Sequence, residues 1–145
     1  MLNIRNVQPQ DLFTVIKIAY TSLPERYNPT IFTTFYESFP QGFLIAEIHH
    51  KIVGFLIGIN INNTTAKILM LSVIKSNRKH GIGSSLTLEF LNKMKIQNIQ
   101  LVELEVKTNN ITAIKFYKKH GFIIQKKIER FYQNGEDAYF MRRLL

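Results

Sequence analysis

The sequence predicts a mixed α/β domain, one sheet with helices packed on both faces. Three observations lead there. Stretches rich in β-branched and aromatic residues alternate with stretches whose apolar residues recur every three to four positions. Short turns such as His49–Lys51 and Asn134–Gly135 join successive strands and call for antiparallel neighbours. Helical stretches between other strands supply the crossovers that parallel neighbours need.

In chain order, Leu2 to Val7 alternates apolar and polar residues, as a half-buried strand does. Pro9 starts a helix whose apolar stripe is Leu12, Val15, Ile16 and Ala19, ending near Leu23–Pro24. Asn28–Pro29 reads as cap and first-turn proline of a second helix, which Pro40–Gln41–Gly42 breaks after Phe39. Phe43 to Ile48, Ile52 to Ile61 and Ala66 to Ile74 read as strands. A helix follows Gly83, with Leu86, Phe90 and Met94 at i, i+4, i+8. Leu101 to Val106 is a strand, and Ile111 to His120 a helix stopped at Gly121. Phe122 to Glu129 and Ala138 to Arg143 close the chain as a hairpin.

These 145 residues suit one domain, residues 1–145, with a substantial core. Cysteine is absent, which excludes disulfide scaffolds, thiolate metal sites and cysteine nucleophiles. No apolar run reaches the roughly 18 residues of a spanning helix, and the N-terminus lacks a secretory signal, so a cytoplasmic protein without membrane contact is expected. The net charge of +9 favours a polyanionic partner, whether nucleic acid, ribosome or phosphorylated cofactor, or is simply a lysine-rich solvated surface. Nothing points to sequence-specific nucleic-acid binding: no arginine-rich tail or zinc-finger spacing is present.

The most informative segment runs from Leu71–Ser72–Val73 through Arg78–Lys79–His80–Gly81–Ile82–Gly83–Ser84. A buried strand enters a basic, glycine-containing loop that opens a helix. Backbone N–H groups and the positive end of the helix dipole then converge on one point, and glycine admits a phosphate closely. The spacing excludes a mononucleotide P-loop and a three-glycine dinucleotide fingerprint, and leaves an ordinary strand-to-helix turn open.

Arg78-x-x-Gly81-x-Gly83 resembles the Gln/Arg-x-x-Gly-x-Gly/Ala signature of the GCN5-related N-acetyltransferase family. The resemblance implies that family's fold, a mostly antiparallel mixed sheet whose central parallel strands splay apart. It implies acetyl-coenzyme A as cosubstrate, with no metal. Loop residues Arg78, Lys79, His80, Gly81, Ile82, Gly83 and Ser84 would then bind the pyrophosphate, with Leu71, Ser72 and Val73 along the thioester arm. The Val73 amide becomes a candidate oxyanion donor. Asn110-x-x-Ala113-x-x-x-Tyr117-x-x-x-Gly121-Phe122 is similar to the family's second motif, which makes Asn110 a coenzyme contact and Tyr117 the candidate acid for the departing thiolate. Taken alone, Tyr117 reads as a core aromatic with a solvated hydroxyl, and the two motifs together reverse that reading.

Glu103 and Glu105 share one face of their strand. Glu105 aligns with the glutamate proposed as base in bacterial ribosomal-protein alanine acetyltransferases; otherwise the two glutamates pair with lysines. Leu23–Pro24–Glu25–Arg26–Tyr27 resembles the Leu-Pro-Glu-Asn-Tyr segment of Ard1-type catalytic subunits, and Arg130 to Tyr139 resembles their Tyr-Tyr-x-x-Gly-Glu-Asp-Ala-Tyr hairpin. The resemblance thus implies an acceptor site for a protein N-terminus, formed by Leu23, Pro24, Glu25, Tyr27, Tyr132 and Tyr139, with Glu25 binding the ammonium or sharing the base role. Phe131 replaces the first hairpin tyrosine, and Glu105 stands where eukaryotic forms carry histidine. N-terminal peptides are the expected partners, with the ribosome or an auxiliary subunit as further candidates. Two rivals stay open: acetylation of a small amine, polyamine or lysine, and a non-catalytic module binding acyl-coenzyme A or RNA.

Overall fold

The computed structural model describes residues 1–25 and 27–145; Arg26, within the Leu23–Tyr27 segment, lies outside them. Its strands are β1 (Leu2–Asn6), β2 (Phe43–Ile48), β3 (Lys51–Asn60), β4 (Thr65–Val73), β5 (Leu101–Lys107), β6 (Ile123–Ile128) and β7 (Ala138–Leu144). Its helices are α1 (Leu12–Ser22), α2 (Thr30–Ser38), α3 (Ile82–Ile96) and α4 (Ile111–Lys119). The strands form one sheet in the order β1-β2-β3-β4-β5-β7-β6. β4 and β5 pair in parallel and the other neighbours are antiparallel.

Local chemistry explains the boundaries. A 3-10 turn over Pro9–Asp11 precedes α1. Asp11 holds it, accepting from the Gln8 N–H at 2.7 Å and from Arg5 Nη1 and Nη2 at 2.7 and 3.0 Å. The second helix starts at Thr30, because Asn28 Oδ1 accepts from the Thr30 N–H and hydroxyl and turns the chain through Pro29. His49 and His50 both have positive φ, as a two-residue hairpin requires, although neither is glycine. Gly121 follows α4 at φ +87° and ends it.

Two apolar layers sandwich the sheet. Val15, Ile18, Ala19 and Phe32 of α1 and α2 pack on Phe43, Ile45, Phe55, Ile57 and Met70. Leu86, Phe90 and Met94 of α3 and Ile114 of α4 pack on Leu44, Leu56, Ile68, Val102, Leu104 and Met141. β2 and β3 are therefore buried on both sides, which explains their continuous apolar runs. β5 alternates strictly: Val102, Leu104 and Val106 are buried, while Glu103, Glu105 and Lys107 line its other face.

The final two strands pair antiparallel as the expected hairpin. β7 inserts between β5 and β6, so β6 is the edge strand. The connection from Glu129 to Asp137 is too long for a two-residue turn and crosses above the end of β5, where the Thr108 N–H donates to the Asp137 carbonyl at 3.1 Å.

Candidate active site

The site begins with a failure of pairing. β4 and β5 pair only through Thr65–Lys67 and Leu101–Glu103; beyond them the strands part. Leu69 is left unpaired by a bulge on the β3 side, where Ile57 faces Met70 and Gly58 faces Ile68. A bulge bends its strand and adds twist, which turns the end of β4 away from β5.

The ladder phase then decides which amides enter the gap. The Ile74 N–H donates to the Val53 carbonyl at 2.8 Å, and Gly54 faces Val73. Hydrogen-bonded and non-hydrogen-bonded pairs alternate in an antiparallel ladder. Ser72 thus bonds to β3, while the amides of Leu71 and Val73 point into the splay. Arg78 Nε donates to the Val73 carbonyl at 2.9 Å and ties the loop to the strand end.

The loop delivers α3 with its first amides free. Gly81 sits at φ +78°, and its carbonyl accepts from the Ser85 N–H at 3.0 Å. The N–H groups of Ile82, Gly83 and Ser84 precede the first intrahelical donor and have no helical acceptor. No heavy atom lies within 4 Å of a Cβ placed on Gly81, and one on Gly83 would meet only Phe116 at 3.6 Å. Packing does not demand glycine at Gly83; open space in front of aligned amides suits a phosphate.

Across the splay, Asn110 caps α4, its Oδ1 accepting from the Ala113 N–H at 3.1 Å. Its amide nitrogen is left to reach a ligand. Tyr117 lies between Phe116 and Phe122, with ring centroids at 5.2 and 5.6 Å. Burial raises its phenol pKa, so it stays protonated and keeps its O–H as a donor. The resulting cleft, about 520 Å³, runs through the splay. It brings together Leu23, Pro24, Glu25, Tyr27, Leu71, Glu105, Asn110, Tyr117 and Tyr132 from distant parts of the chain. These features fit coenzyme A: free amides for its phosphates, and a strand edge and channel for its thioester arm.

The opposite side of the cleft is built on charge. β5 presents Glu103, Glu105 and Lys107 on one face. Lys67 Nζ stands 2.7 Å from Glu105 Oε2 and 3.8 Å from Glu103 Oε1. Lys107 Nζ stands 2.9 Å from Glu25 Oε2 and 3.2 Å from Glu136 Oε1, with the Tyr132 ring 5.1 Å away. The hydrogen bond from Lys107 to Glu25, followed by that to Glu136, raises the lysine pKa and keeps it an ammonium. Hydrogen bonds from Asn134, Asn109 and Lys107 lower the Glu136 pKa. Four carboxylates thus meet two ammonium groups, with Arg142 opposite Glu103 on β7 and Lys126 Nζ 5.7 Å from the Phe140 ring that Lys67 also approaches. Burial first, then Glu25, raises the phenols of Tyr27 and Tyr132, so both remain donors.

Two expected residues sit elsewhere, and a third keeps its place in the loop with a left-handed backbone. Tyr139 packs against the α3-side core and does not line the cleft. The Ser72 side chain is buried on the sheet face that α1 and α2 cover, opposite Phe55, with its hydroxyl unpartnered. Lys79 adopts φ +66° in the exposed loop. Conversely, the cleft and its rim include Lys67, Lys107 and Glu136, which the residue patterns did not single out. The i, i+2, i+4 charges of β5 were a legible signal for Lys107. Only strand pairing brings Lys67 to Glu105. A broader groove of about 660 Å³ beside β7 holds none of the candidate catalytic residues.

Comparisons with known proteins converge on this site. The acetyltransferase (GNAT) family profile matches residues 12–122. An N-alpha-acetyltransferase of Sulfurisphaera tokodaii is 33% identical, over 95% of this chain and 90% of its own length. N-alpha-acetyltransferase 30 of Schizosaccharomyces pombe is 29% identical over 96% and 95%. The crystal structure of Ard1 from Thermoplasma volcanium superposes with a TM-score of 0.96 at 36% identity, covering 99% of this chain and 97% of that one. Splayed strands, a loop of free amides and this kinship lead to one conclusion: the chain belongs to the acetyltransferase (GNAT) family and is an acetyl-coenzyme A-dependent N-acetyltransferase.

Proposed function

We propose that this enzyme acetylates the α-amine of protein N-termini by direct transfer within a ternary complex. The observation that carries this reading is the acceptor mouth. Its walls are Leu23, Pro24, Glu25 and Tyr27 on one side and the Glu129–Asp137 connection on the other, bridged by the Lys107 ammonium. Leu23, Pro24, Ile31 and Phe35 give an apolar seat for a first side chain, and Glu25 and Glu105, which line the same cleft, offer carboxylates to the terminal ammonium. Relatives named N-alpha-acetyltransferase support the same assignment.

An α-ammonium has a pKa of about 7.7–8.0, so modest assistance frees its lone pair. Glu105, with or without Glu25, accepts that proton through water. The amine attacks the thioester carbonyl, forming the C–N bond, while the Val73 N–H stabilises the developing oxyanion. Tyr117 donates its proton as the C–S bond breaks, leaving coenzyme A as the thiol, and the second proton that the nitrogen loses on becoming an amide restores the phenol. Lys67 holds Glu105 in place at 2.7 Å. Positive charge outside the mouth suits the ribosome, where nascent N-termini emerge, as a docking partner.

The test is steady-state release of coenzyme A with peptides beginning Ser, Ala, Thr, Met-Glu and Met-Leu, each beside an N-terminally blocked, lysine-containing control. Turnover on free N-termini alone is the expected result. Turnover only on blocked lysine peptides, or only on polyamines, would overturn the acceptor assignment.

A further inference from the structure

One buried polar contact lies outside the chemistry described above and touches the phosphate loop. His120, the last-turn neighbour of α4, is 9% exposed. Its Nε2 lies 3.0 Å from Ser84 Oγ, in the first turn of α3. Phe116, one turn earlier on α4, tilts against the imidazole at 4.7 Å and lies beside Gly83. Behind, Arg143 of β7 donates from Nη1 to the His120 carbonyl at 2.8 Å. The ring is therefore clamped between β7 and the opening of α3.

Two hydrogen-bond arrangements fit a neutral imidazole against a hydroxyl. In one, Ser84 O–H donates to Nε2 and spends its only proton there. In the other, Nε2–H donates to Ser84 Oγ and leaves the hydroxyl proton free. Ser84 is the third residue of α3, among the free amides of Ile82 and Gly83. A diphosphate offers acceptors only, so its arrival selects the second arrangement. The chain then runs from His120 N–H to Ser84 Oγ and from Ser84 O–H to the phosphate, each bond polarising the next.

We propose that His120 is a positioning residue for acetyl-coenzyme A: through Nε2–H it aims the Ser84 hydroxyl at the coenzyme diphosphate. The phosphate grip is thus assembled from α4 as well as from the α3 loop. The inference rests on the first turn of α3 being the phosphate cradle, and is independent of the acceptor's identity.

The test is calorimetric titration of the full chain with acetyl-coenzyme A, beside backbone amide NMR of the same titration. His120→Leu and Ser84→Ala should each raise the Kd about tenfold, the loss expected for one hydrogen bond to a charged group. The double variant should be no weaker than either single one. His120→Gln, whose carboxamide N–H can stand where Nε2–H stands, should recover most of the affinity. Ser84→Ala removes no core packing and tests the idea even where His120→Leu loosens the fold. Kd values within twofold of wild type in Ser84→Ala, or equal losses in Leu and Gln at position 120, would overturn the proposal. Unmoved amides of Ile82, Gly83 and Ser84 on titration would instead refute the cradle itself.

Discussion

Tyr117→Phe removes one oxygen atom from the centre of the site. The ring keeps its edge-on contacts with Phe116 and Phe122, so the local packing survives. The hydroxyl opens to the cleft, so the Tm should move by no more than about 2 °C. Catalysis should respond far more. General acid help contributes roughly 10²–10⁴ in rate, and a thiolate, being a fair leaving group, needs the lower end. We expect kcat to fall about 100-fold, or about 2.7 kcal/mol at 1.36 kcal/mol per decade. The acetyl-coenzyme A Kd should stay within twofold. Burial holds the phenol above its ordinary value, so wild-type kcat should show no falling limb below about pH 10. The assay is thiol release at saturating acetyl-coenzyme A with the best peptide of the panel, paired with calorimetry. A Phe variant turning over at the wild-type rate would refute the assignment of Tyr117 as acid. A Kd rise as large as the rate loss would make it a binding residue.

Glu105→Gln keeps the shape of the Lys67 contact but removes the proton acceptor; kcat should drop roughly 10- to 100-fold, with coenzyme affinity unchanged by calorimetry. Lys107→Met leaves Glu25 and Glu136 facing each other without their shared cation, so the peptide KM should rise about tenfold and Lys107→Arg should restore much of it in the same kinetic assay. Asp11→Asn should cost about 1–2 kcal/mol in denaturant titration at pH 7. The Arg5 hydrogen bond holds Asp11 below its usual carboxylate value, so this contribution is present above about pH 4 and lost as pH falls through the depressed folded value. The wild-type advantage should therefore be level from pH 5 upward and vanish in acid. Gly58→Ala places a Cβ 2.3 Å from Cε1 of the fully buried Phe90, and thermal melts should show a loss of about 1–3 kcal/mol.

Local signals made the elements readable because they act over one or two turns. The alternation of Val102, Leu104 and Val106 needs only the pleat of one strand, and the cap at Asn110 only its own helix. Arg78, Gly81 and Gly83 mark the loop because conformations with positive φ and close backbone approach restrict the residue types. Glu105, Tyr117 and the Leu23–Tyr27 segment drew notice as short motifs that resemble a family's, a signal that lies along the chain and needs no knowledge of the packing.

What the sequence determined on its own was the inventory: the strands, the helices, the loop of free amides and the residues able to move a proton. Their meeting was decided by the tertiary structure. The bulge at Leu69, the early end of β4–β5 pairing and the insertion of β7 beside β5 are pairing choices between segments tens of residues apart. So is the placement of Lys67 against Glu105, of Lys107 between Glu25 and Glu136, and of His120 against Ser84. Such contacts leave no local periodicity, because their partners are set by the register of strands and the packing of helices rather than by spacing along the chain.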